Sequence, residues 1–226
     1  MIMRTSTGAS WKIGARLPAV VAVCMVLALI VSCSLLPPQQ SPTIYVLPRS
    51  SAPSREAGPP LPWQLRVETP GGIGLIGNQG IVVMPAPDRI TYYKDATWSD
   101  NAPLLVRERL IDAFLATHRL AAVTSDDDAL AADFALSGDL RAFQSEYRNG
   151  SPVVVVRYDA QLRRGSNRQV LASRSFEATA QPAGVTVPQV VQAFGQASDQ
   201  LSAQVVAWTL AQGQQYWVPP KNPGSE

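Results

Sequence analysis

Three long β-prone runs, Asp133 to Tyr147, Val153 to Arg164 and Gln169 to Ala180, followed by one long amphipathic run, constrain the fold of this chain more than any other feature. The first two are joined by Arg148-Asn149-Gly150-Ser151, and Asn-Gly between β-prone runs is among the stronger short-range hairpin signals. In the second run Val154, Val156, Tyr158, Ala160 and Leu162 share one face, while Arg157, Asp159, Gln161 and Arg163 share the other. Such a meander presents one face to a core and much of the other to water. The helical partner begins at Thr186-Val-Pro-Gln189, which has the Thr-x-x-Gln form of a capping box with proline in the first turn. Val190, Phe194, Ala197, Leu201, Val205 and Trp208 then recur at intervals of three and four, predicting one continuous apolar stripe that lies on the sheet and ends near Gln212-Gly213.

Earlier segments supply the rest of the layers. Thr43 to Leu47 is a short β-prone run, Arg49 to Pro62 reads as a loop, and Trp63-Gln-Leu-Arg-Val-Glu68 alternates like a half-buried strand. Ile81 to Met84 and Arg89 to Tyr93 form a further strand pair, with a bend expected at Pro85-Ala-Pro-Asp88 because proline cannot donate to a ladder. From Pro103 to His118, Leu104, Leu105, Leu110, Ile111, Phe114 and Leu115 keep helical spacing, which leaves Arg107, Glu108 and Asp112 on the remaining surface. The expected fold class is α/β of the α+β kind: one mostly antiparallel or mixed sheet with two main helices, the long C-terminal helix packed on the sheet.

The N-terminal segment is of another kind. Arg4, Lys12 and Arg16 precede the apolar run Ala19 to Val31, then Ser32-Cys33, which gives the basic, apolar and small-residue zones of a secretion signal. The apolar run is short for a bilayer span, which needs about 20 residues. Ile30-Val31-Ser32-Cys33 resembles a lipobox, with Ile30 where Leu is commoner. The expected organisation is a cleaved leader over 1–32, lipidated Cys33 and a proline-rich tether over 33–42, a folded domain over 43–212 and a flexible tail over 213–226. Of the two cysteines, Cys24 would leave with the leader, so Cys33 has no disulfide partner and acylation gives its thiol a use. Cleavage also reduces 19 basic residues to 16 against 17 acidic ones, a near-neutral balance that argues against a nucleic-acid partner.

Candidate chemistry is sparse. Gly72-Ile-Gly74-Leu-Ile-Gly77 satisfies G-x-G-x-x-G, but a strand follows it rather than the helix a dinucleotide site needs, so a flexible turn is the better reading. His118 ends the first helix, where imidazole can complement the carbonyl dipole, and no nucleophile elbow or second His accompanies it. Asp126, Asp127 and Asp128 lack the spaced oxygens of a calcium loop and read as a solvated acidic turn. Arg163, Arg164 and Arg168 cluster at a hairpin tip that can touch anionic lipid or a partner, although a solvated tip is the plainer reading. Tyr216 and Trp217, an aromatic pair in a proline-bounded tail, are the candidates for partner contact, with packing on the chain's own sheet as the equal alternative. No catalytic residue, cofactor site or metal site is expected.

The order of motifs resembles the ABC-type transport auxiliary lipoprotein family, PqiC-like accessory lipoproteins of MCE/ABC lipid transport systems. The matching pieces are Cys33, Tyr45-Val-Leu47, Ile81-Val-Val-Met84, Ile90-Thr-Tyr-Tyr93, Ala96-Thr-Trp98-Ser99, the stretch Ala132 to Phe143 and the final helix. The glycine-rich Pro70 to Gly80 loop departs from the family pattern. The resemblance implies a non-catalytic accessory component of a system that moves lipids or other hydrophobic molecules across the envelope. Its implied partners are an MCE-domain protein, an ABC permease and ATPase, and the membrane through Cys33; a homo-oligomer stays open. Ser34 after the acylated cysteine implies the outer membrane, with the domain facing the periplasm. Two alternatives remain: an envelope lipoprotein that activates or scaffolds peptidoglycan synthesis, and an envelope hydrolase.

Overall fold

A computed structural model describes residues 41–49, 58–72, 74–128 and 130–219. Strands β1 (Thr43–Tyr45), β2 (Leu61–Val67), β3 (Gly71–Gly72), β4 (Gly80–Ala86) and β5 (Arg89–Trp98) precede helix α1 (Ala102–Thr117). They are followed by β6 (Leu120–Ser125), β7 (Phe134–Arg148), β8 (Ser151–Arg164), β9 (Val170–Ala180) and helix α2 (Val187–Tyr216). The fold is α+β, a mixed sheet with two helices, as the sequence predicts.

β7 organises the sheet. One of its edges pairs antiparallel with β8 from Phe134↔Arg164 to Arg148↔Ser151, and β9 continues beyond β8. The Asn149-Gly150 turn that joins β7 to β8 has φ of 52° and 80°, the positive values a tight two-residue hairpin requires. The other edge of β7 is shared in turn by β2, β3 and β4, all parallel to it. From β2 the sheet extends to β6, and from β4 to β5 and then β1. Gly138 on β7 has φ 147°, and a Cβ there would overlap the Asp159 carbonyl of β8, so the close approach of these two strands depends on glycine.

The core lies between this sheet and the two helices. Val154, Val156, Tyr158, Ala160 and Leu162 are all buried, as their alternation predicts. On α2 the stripe Val190, Phe194, Ala197, Leu201 and Val205 is buried, while Trp208 is half-buried with its ring edge-on to Phe176. Phe194 joins Trp98 and Phe143 at centroid distances of 5.2 and 4.8 Å, and Trp63 stands perpendicular to Phe134 at 5.2 Å. These two aromatic groups fix successive parts of α2 on the sheet, with Trp63 packing close to Gly213.

Three expectations are corrected. The Gly72 to Gly77 stretch, expected as a turn only, carries regular structure at its described residues: Gly71–Gly72 fills the β7 edge between β2 and β4, and the 3-10 turn Gly74–Gly77 buries Ile76. Pro85 lies within β4, between the pairs Val83↔Thr91 and Ala86↔Arg89, where a register shift spares it a ladder bond, so the β4–β5 hairpin closes at Pro87-Asp88. α2 continues past Gly213 to Tyr216, capped by the Trp217 N–H bonded to the Gly213 carbonyl.

Candidate functional site

α1 starts where Asn101 accepts a hydrogen bond from the Leu104 N–H at 3.0 Å, an N-cap that sets which face turns inward. That face carries Val106, Leu110 and Phe114, and also two arginines. Arg107, expected on the surface, is only 6% exposed: it donates to Thr69 Oγ1 at 3.0 Å and pairs with Asp126 at 2.6 Å and Asp127 at 2.8 Å. The acidic turn is therefore not simply solvated, since its first two carboxylates supply the counter-charge that a buried guanidinium needs. Asp128 instead folds back on the N–H and hydroxyl of Ser125.

Arg109 binds three elements together. Its Nη1 donates to Asp199 of α2, and its Nη2 donates to the carbonyls of Leu47 at 3.2 Å and of Pro48. Gly195 of α2 lies against the same segment, where a Cβ would fall 2.7 Å from the Pro48 oxygen. The Leu47–Pro48 segment that follows β1 is thus held by both helices.

Cys33 lies outside the described residues. His118 is the left-handed C-cap of α1, exposed, with its N–H bonded to the Leu115 carbonyl. Among the described residues no three His, Cys, Asp or Glu side chains gather closely enough to hold a metal ion. Tyr216 and Trp217 are half-buried and pack against the core.

Two sequence candidates do meet. Where β8 ends and α2 runs out, Arg164 and Trp217 line a cleft of about 280 Å³ together with Arg66 of β2, Asp133, Gly165 and Ser166. Arg164 makes no side-chain hydrogen bond or ion pair among the described residues. Arg66 Nε is buried without an acceptor, and the nearest carboxylate to this guanidinium, Glu68, is 3.6 Å away. Arg163 faces the same Glu68 at 3.7 Å. Asp133 accepts the Gln64 N–H through Oδ2 at 2.8 Å. Arg66 and Asp133 carry no sequence signal beyond the outward position of Arg66 in an alternating strand.

The chain belongs to the family of ABC-type transport auxiliary lipoprotein components, whose model matches residues 45–206. A crystal structure of a Xanthomonas campestris protein assigned to family DUF330 is 32% identical, covers 76% of this chain and 97% of its own, and has a TM-score of 0.71. A solved uncharacterized protein at 16% identity shares the fold with a TM-score of 0.57, over 75% of this chain and 99% of its own. An uncharacterized protein of Bradyrhizobium diazoefficiens is 27% identical over 146 residues, which is 65% of this chain but only 39% of that relative.

Proposed function

We propose that the chain is a non-catalytic, lipid-anchored accessory component of an ABC transporter of the MCE type, which moves lipids or other hydrophobic molecules between membranes. The observation that carries this reading is the family match, which runs from β1 into α2 and so takes in most of the folded domain. Acylated Cys33 is the anchor, the following proline-rich segment is the tether, and Ser34 favours the outer membrane, with the domain facing the periplasm. Two or more acyl chains hold a domain on a bilayer far more durably than one, whose binding is marginal. The domain then acts by contact, docking on the MCE-domain protein or on the permease and ATPase.

Affinity capture of the tagged full chain after mild detergent extraction tests this. Recovery of MCE-domain and permease subunits in stoichiometric amounts is the expected result. Recovery of a peptidoglycan synthase without them, or of neither, overturns the reading.

A further inference from the structure

The cleft between β2, the end of β8 and the end of α2 holds more donors than the protein uses. Arg66 and Arg164 enter it from different strands: Arg164 has no side-chain partner among the described residues, and Arg66 is held only by a loose ion pair with Glu68 at 3.6 Å, with its buried Nε making no hydrogen bond among the described residues. Glu68 sits between Arg66 and Arg163 beyond hydrogen-bond distance of both. With Arg66, Arg163 and Arg164 set against Glu68 and Asp133, the charge around the cleft is positive.

We infer that this cleft binds a phosphate ester, with Arg66 and Arg164 as donors and Trp217 as its apolar wall. A carboxylate presents two oxygens in one plane and is satisfied by a single guanidinium fork, whereas a tetrahedral phosphate offers oxygens to two arginines on separate strands. Asp133 selects further. Its Oδ2 is committed to the Gln64 N–H, which leaves Oδ1 to accept a hydroxyl of the ligand, so a polyol phosphate fits better than the bare anion. A volume of about 280 Å³ admits a phosphate with a short polyol and leaves any acyl chain outside. The chemistry is shared by a free polyol phosphate and by a glycerophospholipid headgroup, and it stands whether or not the transporter assignment does.

Calorimetric titration of the full chain in nonionic detergent at low salt tests the site, with glycerol 1-phosphate and with dihexanoyl phosphatidylglycerol below its micellar concentration as probes. Saturable binding of the first probe identifies a free-ester site, and saturable binding of the second alone identifies a headgroup site; either supports the inference. Arg164→Gln is expected to weaken binding about tenfold or more, the loss of one charge-assisted hydrogen bond. Arg168→Gln, exposed on the neighbouring turn outside the cleft, should change it by less than about twofold. Should Arg164→Gln fail to fold, Arg66→Gln and Arg164→Lys carry the same comparison. No saturable binding of either probe, or equal losses in Arg168→Gln and the cleft variants, overturns the site.

Discussion

Arg107 Nη1 lies 2.6 Å from Asp126 Oδ1, closing a bond between the inward face of α1 and the turn after β6. Burial by itself would raise the Asp126 carboxyl, but hydrogen bonds from the Thr69 backbone N–H, the Arg107 guanidinium and the Thr69 hydroxyl outweigh it and hold the pKa below the ordinary value. A carboxyl with a lowered folded-state pKa contributes stability above its unfolded pKa, near 3.9, and loses it as pH falls through the folded value. Asp126→Asn should therefore cost about 1 kcal/mol at neutral pH, a low figure because the side chain is partly exposed. The gap from the parent should narrow below about pH 4. Urea unfolding at neutral pH and at about pH 3 checks both; a gap independent of pH would mean that the charge of Asp126 is not what matters.

Gly195→Ala tests the seat of the Leu47–Pro48 segment on α2. Intrinsic propensity favours alanine in a helix interior by about 1 kcal/mol. The new methyl would stand 2.7 Å from the Pro48 oxygen, so net destabilisation of about 1 to 2 kcal/mol is expected instead. A higher thermal midpoint in the variant would show that the segment yields freely.

Phe194 contacts both Trp98 and Phe143 and is completely buried. Phe194→Ala should cost about 3 to 5 kcal/mol, visible as a large drop in the denaturant midpoint. Trp208→Ala, at a half-buried position, should cost less. Equal costs would contradict the assignment of Phe194 to the centre of the core.

Cys33→Ala should leave the thermal midpoint of the domain unchanged while moving the chain from the membrane fraction to the soluble one. Fractionation of cells expressing each form, with mass analysis of the parent's N-terminus for acyl chains, reads this out. Membrane retention of the variant would count against lipidation at Cys33.

The β7–β8–β9 meander and α2 were legible because each carries its own period, two for the strands and three-to-four for the helix. The Asn149-Gly150 turn and the Thr186 cap mark their limits. The parallel pairs were not, since β2, β3 and β4 reach β7 across long stretches of chain and their partners leave no local pattern. The inward placement of Arg107 and Arg109 was also hidden. Whether a guanidinium can be buried depends on its counter-charges; Arg107 has one beside it at Glu108, but others lie 19 residues away at Asp126 and, for Arg109, 90 residues away at Asp199. Half of the cleft was visible in advance, through Arg164 and Trp217; Arg66 and Asp133 acquire meaning only when β2 docks beside β7.

The Arg109 bracket has a mechanical consequence. Tension entering the chain at Pro42 first loads the three parallel pairs of β1 with β5, and then a guanidinium that grips the Leu47 and Pro48 carbonyls while bound to Asp199. The pull is thereby divided between the sheet and the helical layer before it reaches the segment that follows Arg49. A domain fastened in this way can lose its edge strand to a pull from that side and still hold the chain beyond it in place.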